Sequence, residues 1–254
     1  ATNATVYTAR NFPRQYWNRA KFVCEPPIHL IHVDLLTRDG SDFVSRDGYN
    51  FMASDDPYTA PVQALVGPDG ALWVLDWYSY NVLHNNPDYT SKEHGSGNAW
   101  ITNQRDLQRC RIYRIVYEDP ETGEPQNLSQ ASPDQLIDAL KNENMFWRFT
   151  AQRLLVERGK KDVLPQLAQL VSEDSEGRAA VHALWTLEGL GAFHSTDNAW
   201  DHVLATALTP PAASVRRAAM NVMPKTAAWR DQLLSAGLLE DKDPLIRKDA
   251  LLAL

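Results

Sequence analysis

The sequence predicts a two-part chain, with strands first and helices after them. Three observations carry that expectation. Apolar residues alternate with polar ones between tight-turn signals as far as Tyr117. An acidic stretch broken by proline and glycine follows, and from Ser132 the apolar spacing becomes helical. The expected parts are residues 1–117, a linker at 118–131, and residues 132–254.

The β part is organised around Val66-Gly-Pro-Asp-Gly-Ala-Leu-Trp-Val-Leu-Asp-Trp-Tyr78. Pro68 presets φ, Asp69 can bond its own backbone and Gly70 accepts a positive φ, so Pro-Asp-Gly is a turn. Beyond it Leu72, Val74 and Asp76 take one face of a strand and Trp73, Leu75 and Trp77 the other. Pro61–Val66 is the strand that leads in. Before these, Ala1–Tyr7, Phe22–Glu25 and Leu30–Leu35 read as strands, and Asp39-Gly40 and Asp47-Gly48 as turns. Residues 79–108 form a long polar connection, and Arg111–Tyr117 closes the part as an alternating strand. Short strands with regular turns predict a sandwich or a propeller.

Glu118 to Ala131 is the linker, and Ser132-Pro133-Asp134-Gln135 is a helix start: a capping hydroxyl, proline at the first position, and glutamine three residues on. The helices repeat. Arg148, Arg178, Arg216 and Arg247 each stand three residues before a small or β-branched apolar residue, at intervals of 30, 38 and 31 residues. Second helices are expected at Val163–Val171, Trp200–Leu208 and Trp229–Leu238. Such hairpins bury their apolar faces on their neighbours, which gives HEAT-like helical repeats. Trp147, Trp185, Trp200 and Trp229 are expected in packing, and the arginines as caps or bridges between repeats.

The totals exclude several classes. Apolar content of 44% and charged content of 22% are those of a globular protein. A net charge of -7 argues against a nucleic-acid surface, and no apolar run approaches the roughly 18 residues of a membrane helix. Cys24 and Cys110 make no CxxC spacing for metal or haem; they could bridge, or stay as two buried thiols. The chain starts in a strand and stops in a helix, so a piece of a longer protein is expected.

A resemblance adds to this. Asn11-Phe-Pro-Arg-Gln-Tyr-Trp-Asn-Arg-Ala20, Val23-Cys-Glu-Pro26 with His29-Leu30, and the Gly67–Gly70 hairpin ending Asp76-Trp77-Tyr78 occur in one order. His84-Asn85, Gly97-Asn98-Ala99, Arg105-Asp106 and Arg111-Ile112-Tyr113-Arg114 continue it. The stretch resembles the PVC-type membrane-bound dehydrogenase family of Planctomycetes, Verrucomicrobia and their relatives. That resemblance implies the last blades of a six-bladed propeller similar to glucose/sorbosone dehydrogenases, then HEAT-like repeats. It also implies a periplasmic parent protein that oxidises a sugar or alcohol, often with a c-type haem domain carrying CxxCH outside this chain. The catalytic histidine of the quinone-dependent relatives would sit in an earlier blade. Ala60 stands where those relatives have a quinone-binding arginine, which argues against pyrroloquinoline quinone here. The Arg109-Cys110 pair replaces the family's His-Gly.

The candidate pocket residues are Asp76, His84, Asn98, Arg105, Asp106 and Glu25. Asp76 either faces a propeller channel, to hold a cation or a sugar hydroxyl, or caps the turn that follows it. His84, Asn98, Arg105 and Asp106 share the long connection, where they could line a pocket; Arg105 and Asp106 could equally pin the loop through ion pairs. Glu25 is either a channel-facing acid or a local ion-pair partner. His29 and His32 fall on opposite faces of an expected strand, so no shared metal is expected of them. The rival to an enzyme fragment is a non-catalytic scaffold that binds a carbohydrate, or a protein on its helical part.

Overall fold

The computed structural model describes residues 1–80, 106, 108–118, 126–174, 176–194, 198–209 and 212–254. The chain is β-sheet followed by helix. It divides into two compact units, Ala1–Thr37 with Val44–Glu124, and Arg38–Phe43 with Pro125–Leu254.

The first unit holds two antiparallel sheets. Strands β1 (Asn3–Val6), β2 (Ala20–Glu25), β3 (Leu30–Asp39) and β4 (Asp42–Ala53) form one, in chain order; β5 (Pro61–Val66), β6 (Leu72–Asp76) and β7 (Arg111–Ile115) form the other, also in chain order. The sheets share a core in which Phe22, Ile31 and Val33 of the first meet Ala64, Leu72 and Val74 of the second. Their first strands are stitched together by side chains. Thr5 Oγ1 donates to the Ala64 carbonyl at 2.5 Å, and Asn3 Oδ1 accepts from the Ala64 amide at 3.0 Å.

Phe12 and Tyr16 of the Asn11–Ala20 stretch join Tyr7, Phe22 and Phe51 in the aromatic part of this core. Phe12 stacks on Tyr7 with ring centroids 4.6 Å apart, and Phe22 meets Phe51 edge-on at 4.8 Å. The Pro68-Asp69-Gly70 turn forms as expected. Gly70 takes φ +73°, its amide donates to the Gly67 carbonyl at 3.0 Å, and Asp69 Oδ1 accepts from the Ala71 amide at 3.2 Å.

Two local expectations are corrected. Asp47-Gly48 is no turn but the interior of β4. A Cβ on Gly48 would lie 2.4 Å from the Val33 carbonyl oxygen, so that glycine serves close strand approach rather than chain reversal. His29 is not in a strand either. It ends a short 3-10 turn at φ +59° and donates from Nδ1 to the Thr59 carbonyl at 2.6 Å.

The second unit contains α1 (Pro133–Ala139), α2 (Met145–Arg158), α3 (Leu164–Glu173), α4 (Arg178–Gly189), α5 (Asp201–Ala207), α6 (Ala213–Val222), α7 (Ala227–Ser235) and α8 (Pro244–Ala253). Ser132 begins α1 with a complete capping box: its Oγ accepts from the Gln135 amide at 3.3 Å, and Gln135 Oε1 accepts from the Ser132 amide at 2.8 Å. The arginine-bearing helices pack in sequence, α2 on α4, α4 on α6 and α6 on α8, while α3 packs on α4 and α5. Leu155, Leu184, Leu187, Leu204 and Met220 lie in their shared core. Trp229 is buried, but Trp185 is exposed, because its position on α4 falls opposite the Ala180–Ala183–Leu184 face. No helix among the described residues is long and apolar enough to cross a membrane.

Candidate functional site

The end of β6 gathers a polar and aromatic cluster. Register places Asp76 opposite Pro61 on β5 and Arg111 on β7. The Asp76 side chain is fully buried. Its Oδ1 accepts from the amides of Ala60 at 2.6 Å and Tyr78 at 2.9 Å, and its Oδ2 accepts from the Tyr113 hydroxyl at 3.2 Å. Those three donors balance a charge that burial alone would make costly.

The network runs outward from there. Arg111 donates from Nη1 to the Tyr113 oxygen at 3.0 Å and from Nη2 to Asp56 Oδ2 at 2.5 Å. Asp56 Oδ1 accepts from the Tyr58 amide at 3.0 Å. The Tyr58 amide and the Arg111 guanidinium together hold the Asp56 carboxyl below the usual carboxylate range, while Tyr113 and Asp56 raise Arg111. Arg111 and Asp56 are therefore a fixed ion pair at neutral pH.

Three tyrosines cover this chain of charges. The Arg111 guanidinium sits 3.9 Å from the centre of the Tyr78 ring. Tyr58 lies 5.4 Å from Tyr78 and 5.9 Å from Tyr80, centroid to centroid. Tyr78 holds φ +55°, a left-handed conformation that is uncommon for a bulky residue and costs about 1–3 kcal/mol. The Asp76 carboxylate on its amide and Arg111 on its ring keep it there. Thr59 is buried just before Ala60, and its hydroxyl has no hydrogen-bond partner among the described residues.

The other candidates are dispersed. Glu25 pairs with the Ala1 amino group at 2.9 Å. Asp106 accepts from the amides of Gln108 at 2.8 Å and Arg109 at 3.0 Å, and pairs with the Arg109 side chain at 3.2 Å. His84, Asn98 and Arg105 lie outside the described residues, as do most of the 79–108 connection and residues 119–125 of the linker. Both cysteines are free. Cys24 is buried, which pushes its thiol up to about 11, whereas Cys110 is exposed, against the expectation of two buried thiols.

Sequence reasoning missed Asp56, Arg111 and Tyr113. The signal was available in part: Arg111 and Tyr113 alternate onto one face of β7, and Tyr113 pairs with Val74, two residues from Asp76. It also missed a group on the first sheet, where His32, Asp34 and Asp47 bring three ligand atoms within 4.8 Å of one another. His32-x-Asp34 has the period of one strand face, but Asp47 comes from the next strand.

Fold and site define a protein of two antiparallel sheets and a helical unit, with a buried aspartate under a tyrosine–arginine cluster. Its first part is similar to a known family: residues 1–119 match the model of a domain of unknown function (DUF7133). No curated protein and no solved structure matches the chain.

Proposed function

We propose that the tyrosine cluster at the end of β6 binds a sugar or other polyol, within the closing blades of a β-propeller from an extracytoplasmic dehydrogenase-like protein. The observation that carries the binding reading is Tyr78, held in a strained conformation beside Tyr58, Tyr80, Asp56 and Arg111. Aromatic faces take the C–H surfaces of a sugar, and a fixed carboxylate–guanidinium pair offers acceptors and donors to its hydroxyls. Asp76 has its carboxylate committed to three donors, so its role in this reading is to position Tyr78 rather than to touch substrate.

Two successive meanders whose first strands lie side by side support the propeller reading, since neighbouring blades meet in that way. Helices packed in sequence support a HEAT-like solenoid beyond it. The resemblance supports a periplasmic parent that oxidises a sugar or alcohol. The hard chemistry, hydride or proton abstraction at a carbinol carbon, then falls to a cofactor such as c-type haem and a base in the parent protein. A second reading, a scaffold with a protein partner on the helices, is favoured by the exposed Phe149 and Trp185.

The test is a fluorescence titration of the chain with aldoses and alditols, with Trp77 beside the cluster as reporter. Saturable quenching that is lost in Tyr78→Ala and Tyr80→Ala supports the reading. Quenching that persists in both variants, or none with any polyol, overturns it.

A further inference from the structure

We propose that His32, Asp34 and Asp47 form a binding site for a zinc-class divalent cation on the outer face of the first sheet. His32 Nε2 lies 3.4 Å from Asp34 Oδ1 and 3.3 Å from Asp47 Oδ1. A tetrahedral site with bonds of about 2.0–2.1 Å has edges of about 3.3–3.4 Å, so both His32 separations match two edges of such a site. The two carboxylate oxygens lie within 4.8 Å of each other, and the third edge closes as Asp47 moves onto the ion.

The ring is oriented for that task. His32 Nδ1 donates to Asn50 Oδ1 at 3.1 Å, which holds the ring with Nε2 toward Asp34 and Asp47. That nitrogen is buried between two carboxylates and makes a hydrogen bond with neither. Asp34 is fixed from behind: Lys21 Nζ at 2.7 Å and Ser45 Oγ at 2.8 Å both hold Oδ2, which leaves Oδ1 toward the histidine. Outer partners of this kind orient the ligands of metal sites.

Access comes through Asp47, whose side chain is 97% exposed and can swing to admit the ion and a fourth, water ligand. An imidazole nitrogen with two carboxylates favours zinc and its neighbours over magnesium or calcium, which take oxygen sets.

The experiment is equilibrium dialysis of the full chain against Zn2+, with Mg2+ and Ca2+ as competitors. One Zn2+ per chain is expected, held against excess Mg2+ and Ca2+. Binding should weaken by more than about tenfold in Asp47→Asn and His32→Gln, and by about tenfold in Asn50→Leu. Asp47 is exposed, so its variant keeps the fold, which circular dichroism verifies. Absence of saturable binding, or equal affinity in the His32→Gln/Asp47→Asn double variant, overturns the assignment.

Discussion

Arg148 reaches back six residues to the carbonyl of Asn142 at 2.6 Å, and Arg247 makes the same 2.6 Å reach to Asp241. In both places the residue two further on caps the helix, Asn144 to the Phe146 amide and Asp243 to the Leu245 amide. At these two positions the repeating arginine ties its own helix to the turn ahead of it. Arg216 instead joins Asp241, in the turn before α8, at 3.1 Å, and its neighbour Arg217 joins Asp249 on α8 at 2.5 Å, so this pair links α6 to α8 and the turn ahead of it.

Replacing Arg148 with methionine keeps its buried stem but strips two charged hydrogen bonds from the carbonyls of Asn142 and Glu143. The expected cost is about 2–3 kcal/mol. Arg153→Met breaks only an exposed pair with Glu157 and should cost less than about 0.5 kcal/mol. Urea midpoints of the two variants check the contrast, and equal midpoints would refute the role given to Arg148.

Asp76 gives a second contrast. Alanine there leaves the amides of Ala60 and Tyr78 and the Tyr113 hydroxyl without an acceptor in a buried place, at a cost of about 3 kcal/mol. Asparagine keeps one oxygen for the two amides, and its amide nitrogen can donate to the tyrosine oxygen, so about 1 kcal/mol is expected. Thermal unfolding should rank wild type above Asp76→Asn, and that above Asp76→Ala.

A third test addresses the Pro68-Asp69-Gly70 turn. The buried Tyr7 hydroxyl donates to the Gly70 carbonyl at 2.7 Å and accepts from the Phe12 amide at 3.0 Å. Burial pushes that phenol up to about 12, so it stays protonated through the neutral range. Tyr7→Phe should cost about 2 kcal/mol, because both partners remain buried. Gly70→Ala should cost more: its Cβ would stand 1.6 Å from Asn11 Oδ1, at φ +73°. Chemical denaturation measures both.

Much of this was readable in the residues, and what was not has a common cause. The Gly67–Gly70 turn and the Ser132 capping box are local, set by residues within four positions of one another, and the sequence carries them whole. The Asp56–Arg111 pair spans 55 residues and depends on sheet register, which no local pattern encodes. His32 and Asp47 likewise meet only because β3 and β4 pair. Asp47-Gly48 misled because a glycine needed for close approach to Val33 looks the same in sequence as one needed for a turn.

The fourth test is pH. His182 on α4 is buried, donates from Nδ1 to Gln152 Oε1 at 2.7 Å and meets the Phe149 ring edge-on at 5.1 Å. Burial, and then the nearby Arg148 charge, push its imidazole down to about 4. In the unfolded chain the ring takes its proton near pH 6.5, as an unperturbed histidine does. Between those values the unfolded state binds more protons than the folded one, so stability rises with pH across the window. The contribution is complete above about 6.5 and drains away as pH falls toward 4, to a total of about 3 kcal/mol. His182→Gln removes the titrating group and keeps a hydrogen-bonding side chain. Its unfolding free energy should therefore be flatter than wild type from pH 6.5 down to 4.5, measured by urea titration at each pH. A variant that loses stability as steeply as wild type in that interval would show that the loss arises elsewhere.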